Sequence, residues 1–592
     1  MKMLLLLLVI AGLLAAGCGG NGDTPTATPE PTPVAETPTP TPPAAVPWTG
    51  NETVQTLYGA VRGFEDEADT WVWKAIPYAK PPVGELRWKA PQAPDPWEGI
   101  REETEFCSPC AQLQPQLGTL PSDTIVGSED CLYLNVWRPQ SDEANLPVYV
   151  WIHGGGNSIG SATLDPGTYG ANLAGKSNMV FVSMNYRLGP FGWFTHPALR
   201  GGGPGDEAED SGNYGTLDLI QALRWIQDNI EAFGGDPDNV MITGESAGAM
   251  NVLSLMISPL AENLFHKAMS QSGRLVTIPV AVGEASAHNV LLKLLVNDGT
   301  AADEAEAETY LESMSNAEIE AYLRSKTAEE LWACYEQMGF GLLTFPFIFE
   351  DGAVIAAAGF DTFQSGTYPN KVPIILGSNK EELKIFLFMD PSFEGKDDLY
   401  QVVASYGSDF WKVDGVDGVA RQLSPHADQP GVYVYQFLWG AGGDIGESPI
   451  PDPWGFKLGA YHSLDSPFFL GNQDSGGPIA AWVFTEENRP GREALSEAMM
   501  AYVAQFARTG DPNGPGSDLP QWKPWSGGAD EPKGILFDAD GDAADIAMST
   551  TELTQSGVLA RMQSEVPEPL YSEALEYLMA AQVAANLLQD NE

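Results

Sequence analysis

Residues 239–256, N-V-M-I-T-G-E-S-A-G-A-M-N-V-L-S-L-M, decide the fold. Asn239 to Thr243 is a short apolar run of the kind that forms a buried strand, and the stretch from Ala247 onward reads as a helix. Between them stands G-E-S-A-G (244–248), the G-x-S-x-G spacing of a nucleophile elbow. The reason for the spacing is steric. A Ser exposed on a tight strand-to-helix turn leaves no room for side chains at Gly244 and Gly248. Five residues with two glycines also recur by chance, so the rest of the chain decides whether Ser246 belongs to a site.

Working outward, strand-like runs alternate with helical ones. P-V-Y-V-W-I (147–152), M-V-F-V-S-M (179–184), V-M-I (240–242), V-P-I-I-L (372–376) and V-Y-V-Y-Q-F-L (432–438) are rich in β-branched and aromatic residues. Leu219, Ala222, Leu223, Ile226 and Ile230 recur at helical spacing and give one apolar face. This alternation predicts an α/β fold, a mostly parallel sheet covered by helices on both faces. Residues 284–336 are acidic, Ala-rich and predicted helical, placed to form a cap over the site. F-H-K-A-M-S (265–270) also reads as helix.

The 592 residues, with 10% aromatic content and 16 Trp, suffice for a large buried core. A formal charge of −50, from 80 acidic against 30 basic residues, excludes nucleic acid as a natural partner. The charge suits a solvated acidic surface, or adaptation to high salt.

Lys2 followed by the apolar run 3–14 resembles a secretory signal peptide, too short to span a bilayer comfortably. Ala15-Ala16-Gly17-Cys18 resembles a bacterial lipobox, with Leu14 one residue earlier than that motif prefers. Residues 1–18 are therefore read as a signal peptide with a lipobox-like end, with Cys18 expected to be lipidated after cleavage, giving an exported envelope lipoprotein; plain secretion is the alternative. Residues 19–47, rich in Thr and Pro, are expected to be an extended spacer, and 48–592 one catalytic domain. Beyond Cys18 stand Cys107, Cys110, Cys131 and Cys334, and C-S-P-C (107–110) has no second pair that would make a zinc site.

His153-Gly154-Gly155-Gly156 follows the first strand run directly. Such a loop and the residue after the nucleophile, here Ala247, supply backbone N–H groups to an oxyanion hole. A Ser hydroxyl needs a base, and the chain has six His. The order Ser, acid, His leaves His266, His288, His426 and His462. His266 follows Ser246 too closely, His288 lies in the predicted cap, and His426 in a polar loop. His462, in G-A-Y-H-S-L-D after the strand 432–438, is the best base. N-K-E-E (379–382) follows the strand 372–376, and pattern alone leaves Glu381 and Glu382 both open as the acid.

In these motifs the chain resembles the type-B carboxylesterases, the cholinesterase-like branch of the α/β-hydrolases. The resemblance spans most of residues 57–526. It includes K-A-I-P-Y-A-K-P-P-V-G-E-L-R-W (74–88), E-D-C-L-Y-L-N-V (129–136), N-Y-R-L-G-P-F-G (185–192), F-G-G-D-P (233–237), S-Q-S-G (270–273) and F-A-R-T-G-D-P-N (506–513). It implies that Glu382 is the acid and Glu381 a structural or surface charge, that His462 is the base, and that Cys110 pairs with Cys131. The family continues His-Gly-x-Glu where this chain has Ser463 and Asp465. Residues 111–130 hold no aromatic residue, which argues against choline esters. Asn157 stands where the family often has an aromatic, so the acyl side of the pocket is expected to differ.

The expected activity is hydrolysis of carboxylic esters through an acyl-enzyme. Ser246, Glu382 and His462 would be catalytic, and the N–H groups of Gly155, Gly156 and Ala247 would form the oxyanion hole, without cofactor or metal. A lipase or amidase on the same triad, or a non-catalytic adhesion homologue, are the alternatives. The role of Glu245, beside the nucleophile, is left open.

Overall fold

A computed structural model describes residues 47–586, apart from 116–121, 123, 164–165, 443–447 and 476–478. The leader, Cys18 and nearly all of the Thr/Pro-rich spacer lie outside the described residues.

Among the described residues, eleven strands form one twisted sheet. They are β1 (Phe64–Asp66), β2 (Thr70–Pro77), β3 (Tyr133–Pro139), β4 (Leu146–Ile152), β5 (Val180–Met184), β6 (Gly235–Glu245), β7 (Lys267–Gln271), β8 (Ile374–Asn379), β9 (Val432–Phe437), β10 (Gly534–Ala539) and β11 (Ala544–Ser549). Their spatial order is β11-β10-β9-β8-β7-β6-β4-β5-β3-β2-β1. The seven strands from β10 to β5 pair parallel, and the two edges are antiparallel. The mostly parallel sheet is as expected from the strand runs. The expectation omitted the antiparallel margins.

Each parallel strand is apolar on both faces, because helices cover both. In β4, Val148, Val150 and Ile152 enter one core, while Tyr149 and Trp151 enter the other. The same alternation holds in β9, where Val432 and Val434 face one way and Tyr433, Tyr435 and Phe437 the other. Helices α1 (Tyr214–Asn229) and α2 (Ala247–Ile257) cover the first face. The acidic insertion is helical as expected, with α3 (Val280–Asn297), α4 (Glu304–Ser313) and α5 (Asn316–Ser325). A third apolar cluster joins α6 (Asp397–Lys412) to α8 (Gln555–Glu565) and α9 (Leu570–Asn586), while α7 (Arg489–Thr509) covers the second face of the sheet.

The segment read as helix at 265–270 is instead the buried strand β7, between β6 and β8. Lys, Ala, Met and Gln favour helix locally. Nine ladder pairs, five with β6 and four with β8, override that preference.

Candidate functional site

The site lies at the carboxyl ends of β4, β6, β8 and β9, where ligands gather in sheets of this kind. Ser246 directly follows β6 and caps α2 with φ 56° and ψ −123°, a sparsely populated conformation for a residue with a side chain. Its N–H donates to the Gln271 carbonyl at 2.9 Å, and its own carbonyl accepts from the Met250 N–H. The flanking glycines are required by close approach rather than by flexibility. A Cβ on Gly244 would lie 2.4 Å from the Gly248 carbonyl carbon, and one on Gly248 would lie 2.1 Å from the Ile152 oxygen. The elbow is thus pressed against the end of β4, which is where the H-G-G-G loop begins.

That loop is held from beneath. The His153 ring stacks on Tyr186 with centroids 4.4 Å apart, and the Tyr186 hydroxyl donates to the His153 carbonyl. Burial pushes His153 down to about 4 against the pull of the Gly154 carbonyl beside Nδ1, so the ring is neutral. Gly155 has φ 103°, and a Cβ there would lie 2.2 Å from the Ile159 oxygen. The Gly155 carbonyl accepts from the Ser158 and Ile159 N–H groups. Among the described residues, the N–H groups of Gly155 and Gly156 have no hydrogen-bond acceptor. Ala247 is the first residue of α2, where an N–H has no intrahelical partner. Asn157 is fully buried, with Oδ1 accepting from Asn251 and Tyr186. Its side chain is therefore tied into the core, and Leu342, just beyond the helical insertion, approaches Gly156 instead.

The two glutamates of N-K-E-E turn to different tasks. Glu382 is fully buried. Its Oε1 accepts from the Asn379 N–H at 2.7 Å and from the Ser272 hydroxyl at 2.6 Å, and its Oε2 lies 2.5 Å from His462 Nδ1. Glu381 pairs with the buried Lys384 at 2.7 Å and accepts from the Ala460 N–H, while its own N–H donates to the Ala460 carbonyl. Glu381 thereby holds the segment that carries His462. Gly459 makes room for it, since a Cβ there would overlap the Glu381 carboxylate. The His462 ring also packs on Trp411 and Phe386, with centroids 4.9 and 5.2 Å away.

His462 Nε2 faces Glu245 Oε1 at 3.0 Å, and that same oxygen accepts from the Ser463 hydroxyl at 2.6 Å. Ser463 has φ 76°, a left-handed conformation that favours glycine. Asp465 is fully buried and accepts from the Tyr435 hydroxyl. Three carboxylates therefore surround one imidazole. Burial by itself lowers the His462 pKa, but Glu245, Glu382 and Asp465 outweigh it and raise it to about 9. Burial raises Glu245 to about 7 against the opposing charge of His462, and raises Asp465 to about 6.

The structure puts Glu382 and His462 in direct contact, sets Glu245, the residue before Ser246, against the other ring nitrogen, and packs Gly154 of the H-G-G-G loop on Glu245 and the Ser246 Cβ, while four other histidines are engaged elsewhere. His266 accepts from the Val240 N–H, His288 pairs with Glu308, His426 contacts the Phe363 carbonyl, and His196 caps a short turn. Cys110 and Cys131 are disulfide-bonded, and Cys107 and Cys334 are free thiols. Sequence reasoning gave no role to Ser272 or Ser463. Ser272 sits in S-Q-S-G, a motif noted without a function, and Ser463 was noted only as a departure.

Sheet order, elbow and loop define an α/β-hydrolase. The carboxylesterase family profile matches residues 50–411, and the chain belongs to that family. It is 32% identical to the para-nitrobenzyl esterase of Bacillus subtilis over 78% of this chain and 91% of that one. It is 31% identical to liver carboxylesterase 1 of Oryctolagus cuniculus over 81% and 88%. A solved Geobacillus stearothermophilus carboxylesterase superposes with TM-score 0.64 at 31% identity, covering 84% of this chain and 98% of that one. The protein is an enzyme, a hydrolase of carboxylic esters.

Proposed function

We propose that Ser246 is the nucleophile, His462 the general base and Glu382 the residue that orients it. The single observation that carries this reading is the 2.5 Å contact of Glu382 Oε2 with His462 Nδ1, which fixes the ring with Nε2 turned away from the acid. In acylation, Ser246 Oγ attacks the ester carbonyl as its proton passes to His462 Nε2. The N–H groups of Gly155, Gly156 and Ala247 stabilise the oxyanion, at about 3 kcal/mol per donor. The imidazolium, stabilised by Glu382, then protonates the departing alkoxide. In deacylation His462 takes a proton from water as its oxygen attacks the acyl-Ser246 carbonyl, the tetrahedral intermediate collapses by breaking the bond to Ser246 Oγ, His462 returns the proton to that oxygen, and the acid leaves. Broad action on small esters is the substrate range we infer.

The test is a panel of short-chain and long-chain aryl esters with one anilide, assayed for the parent enzyme and Ser246→Ala. The parent should favour short esters, and the variant should lose activity on all of them. A preference for long chains would mark a lipase and turnover of the anilide an amidase. Retained activity in Ser246→Ala would refute the mechanism.

We also infer export, with Cys18 lipidated and the Thr/Pro-rich segment spacing the enzyme from the membrane. The support is the leader sequence alone. Fractionation of Cys18→Ala should move the enzyme from membrane to soluble fraction; unchanged membrane association would exclude a lipid anchor at that residue.

A further inference from the structure

Glu245 and Ser246 are consecutive, so the elbow carries a carboxylate and a nucleophile on one turn. The carboxylate is already at the ring: Glu245 Oε1 lies 3.0 Å from His462 Nε2. Yet His462 Nε2 has no hydrogen-bond partner among the described residues. A nitrogen and an oxygen this close fail to bond only when the oxygen lies well off the N–H axis. Glu245 therefore stands beside the line along which Nε2 exchanges a proton, and does not close it.

The carboxylate is held there from both sides. The Ser463 hydroxyl donates to Glu245 Oε1 at 2.6 Å. A Cβ on Gly154 would lie 2.7 Å from Glu245 Oε2, so that oxygen rests against backbone that bears no side chain. Released from Ser463, a buried carboxylate beside an imidazolium gains most by rotating onto its N–H, since charge-assisted hydrogen bonds are roughly twice as strong as neutral ones. Such a bond would hold the proton that the leaving oxygen needs. It would also cover the ring edge that the Ser246 hydroxyl must reach.

Ser463 makes its bond from an unfavourable backbone. Its φ of 76° is left-handed, where glycine is at ease and a side chain is not. Strain beside a reacting group points to a use for the side chain that bears it.

We propose that Ser463 is a positioning residue: its hydroxyl steers the Glu245 carboxylate to a place where the charge favours the imidazolium while the proton path at Nε2 stays open. The proposal rests on His462 as the general base, as set out above, and names what keeps that base usable. The charges facing the ring are Glu245 from the end of β6, Glu382 from the turn after β8 and Asp465 from the turn of His462 itself. Glu382 is held by Asn379 and Ser272, and Asp465 by Tyr435, so Glu245 is the charge that Ser463 governs.

The experiment follows kcat and kcat/KM against pH with p-nitrophenyl butyrate. It uses the parent, Ser463→Gly, Ser463→Ala, Glu245→Gln, and the double variant carrying Ser463→Gly and Glu245→Gln. Ser463→Gly should melt no lower than the parent, because glycine fits the left-handed backbone. In both Ser463 variants kcat should fall about tenfold with KM nearly unchanged, the mark of an interaction that matters as the proton moves. The acidic limb of kcat/KM should move to higher pH, because Glu245 then bonds the imidazolium directly and His462 gives up its proton less readily. Glu245→Gln should move the limb the opposite way. In the Glu245→Gln background, Ser463→Gly should change kcat by less than about twofold, since the group it steers is gone.

An unmoved limb in both Ser463 variants would overturn the proposal. So would a shift to lower pH, which would mean that the hydroxyl only keeps Glu245 charged. A shift in Ser463→Gly without one in Ser463→Ala would trace the effect to the backbone, and an equal loss of kcat in the Glu245→Gln background would place the action of Ser463 elsewhere; either outcome sinks it. Ser246→Ala is assayed alongside. Activity that survives there refutes the catalytic assignment, whereas an inactive Ser246→Ala beside parent-like Ser463 variants refutes the role of Ser463 alone.

Discussion

Glu245 stands 3.0 Å from His462 at the ring nitrogen opposite the one that Glu382 holds. The imidazole thus has a carboxylate oxygen near each ring nitrogen, hydrogen-bonded at Nδ1 and a charge neighbour at Nε2, and the Ser463 hydroxyl fixes the second carboxylate.

The base is affected directly. His462 must be neutral to accept the Ser246 proton, and its neutral fraction grows as pH rises through its pKa, which stands raised at about 9. Glu245→Gln removes one of the charges that raise it. The acidic limb of the kcat/KM profile should therefore move to lower pH, by about one unit or more. An unmoved limb would mean that Glu245 does not act on His462.

Asp465 makes a second pH-dependent contribution. Its pKa is raised from 3.8 to about 6, first through burial. The folded state then binds this proton more tightly than the unfolded state, so the favourable contribution is present below about pH 4 and lost as pH rises through 6. Between pH 4 and 8 the parent should lose up to about 3 kcal/mol relative to Asp465→Asn. Denaturant midpoints of both proteins at those pH values measure it.

The adjacent glutamates should separate cleanly. Glu382→Gln should leave the melting temperature close to that of the parent and lower kcat by about 10⁴-fold, as when a triad acid loses its charge. Glu381→Gln leaves Lys384 buried without its partner and should cost roughly 3–5 kcal/mol of stability. If Glu381→Gln lost kcat at full stability, the assignment would be reversed.

Gly248→Ala places a Cβ against the Ile152 oxygen, a backbone atom that cannot swing aside. Overpacking of this kind typically costs about 1–3 kcal/mol. Because the clash falls between elbow and oxyanion loop, kcat should drop more than a hundredfold in the soluble protein.

Cys110→Ser opens a disulfide between residues 21 apart in sequence. In the chain-entropy treatment this costs about 3 kcal/mol. Denaturant unfolding of the variant against the parent checks the figure.

The elements most legible in the sequence were those whose local pattern and tertiary setting agree. Strands β4, β5, β8 and β9 are β-branched and aromatic and buried on both faces, so their apolar runs identify them. In β7 local preference and burial disagree, and burial decides. Ser246 and the H-G-G-G loop were readable because their chemistry demands contiguous residues. The choice between Glu381 and Glu382 was not in the local pattern, because neighbours on a turn point to opposite sides and only the fold shows which side holds His462. Ser272 and Ser463 were illegible for a related reason: each acts on a carboxylate more than 100 residues away in the chain.

The bond between Glu381 and Ala460 ties the two halves of the charge system into one piece. Acid and base come from segments 80 residues apart, yet the residue beside the acid carries the loop that presents the base. Insertions in the surface loops between 383 and 458, outside β9 and the helix that carries Trp411, can therefore reshape the intervening surface without altering the distance that matters. The same lock means that a shift of the β8 turn moves both partners together, leaving their alignment to each other intact while changing how they meet Ser246.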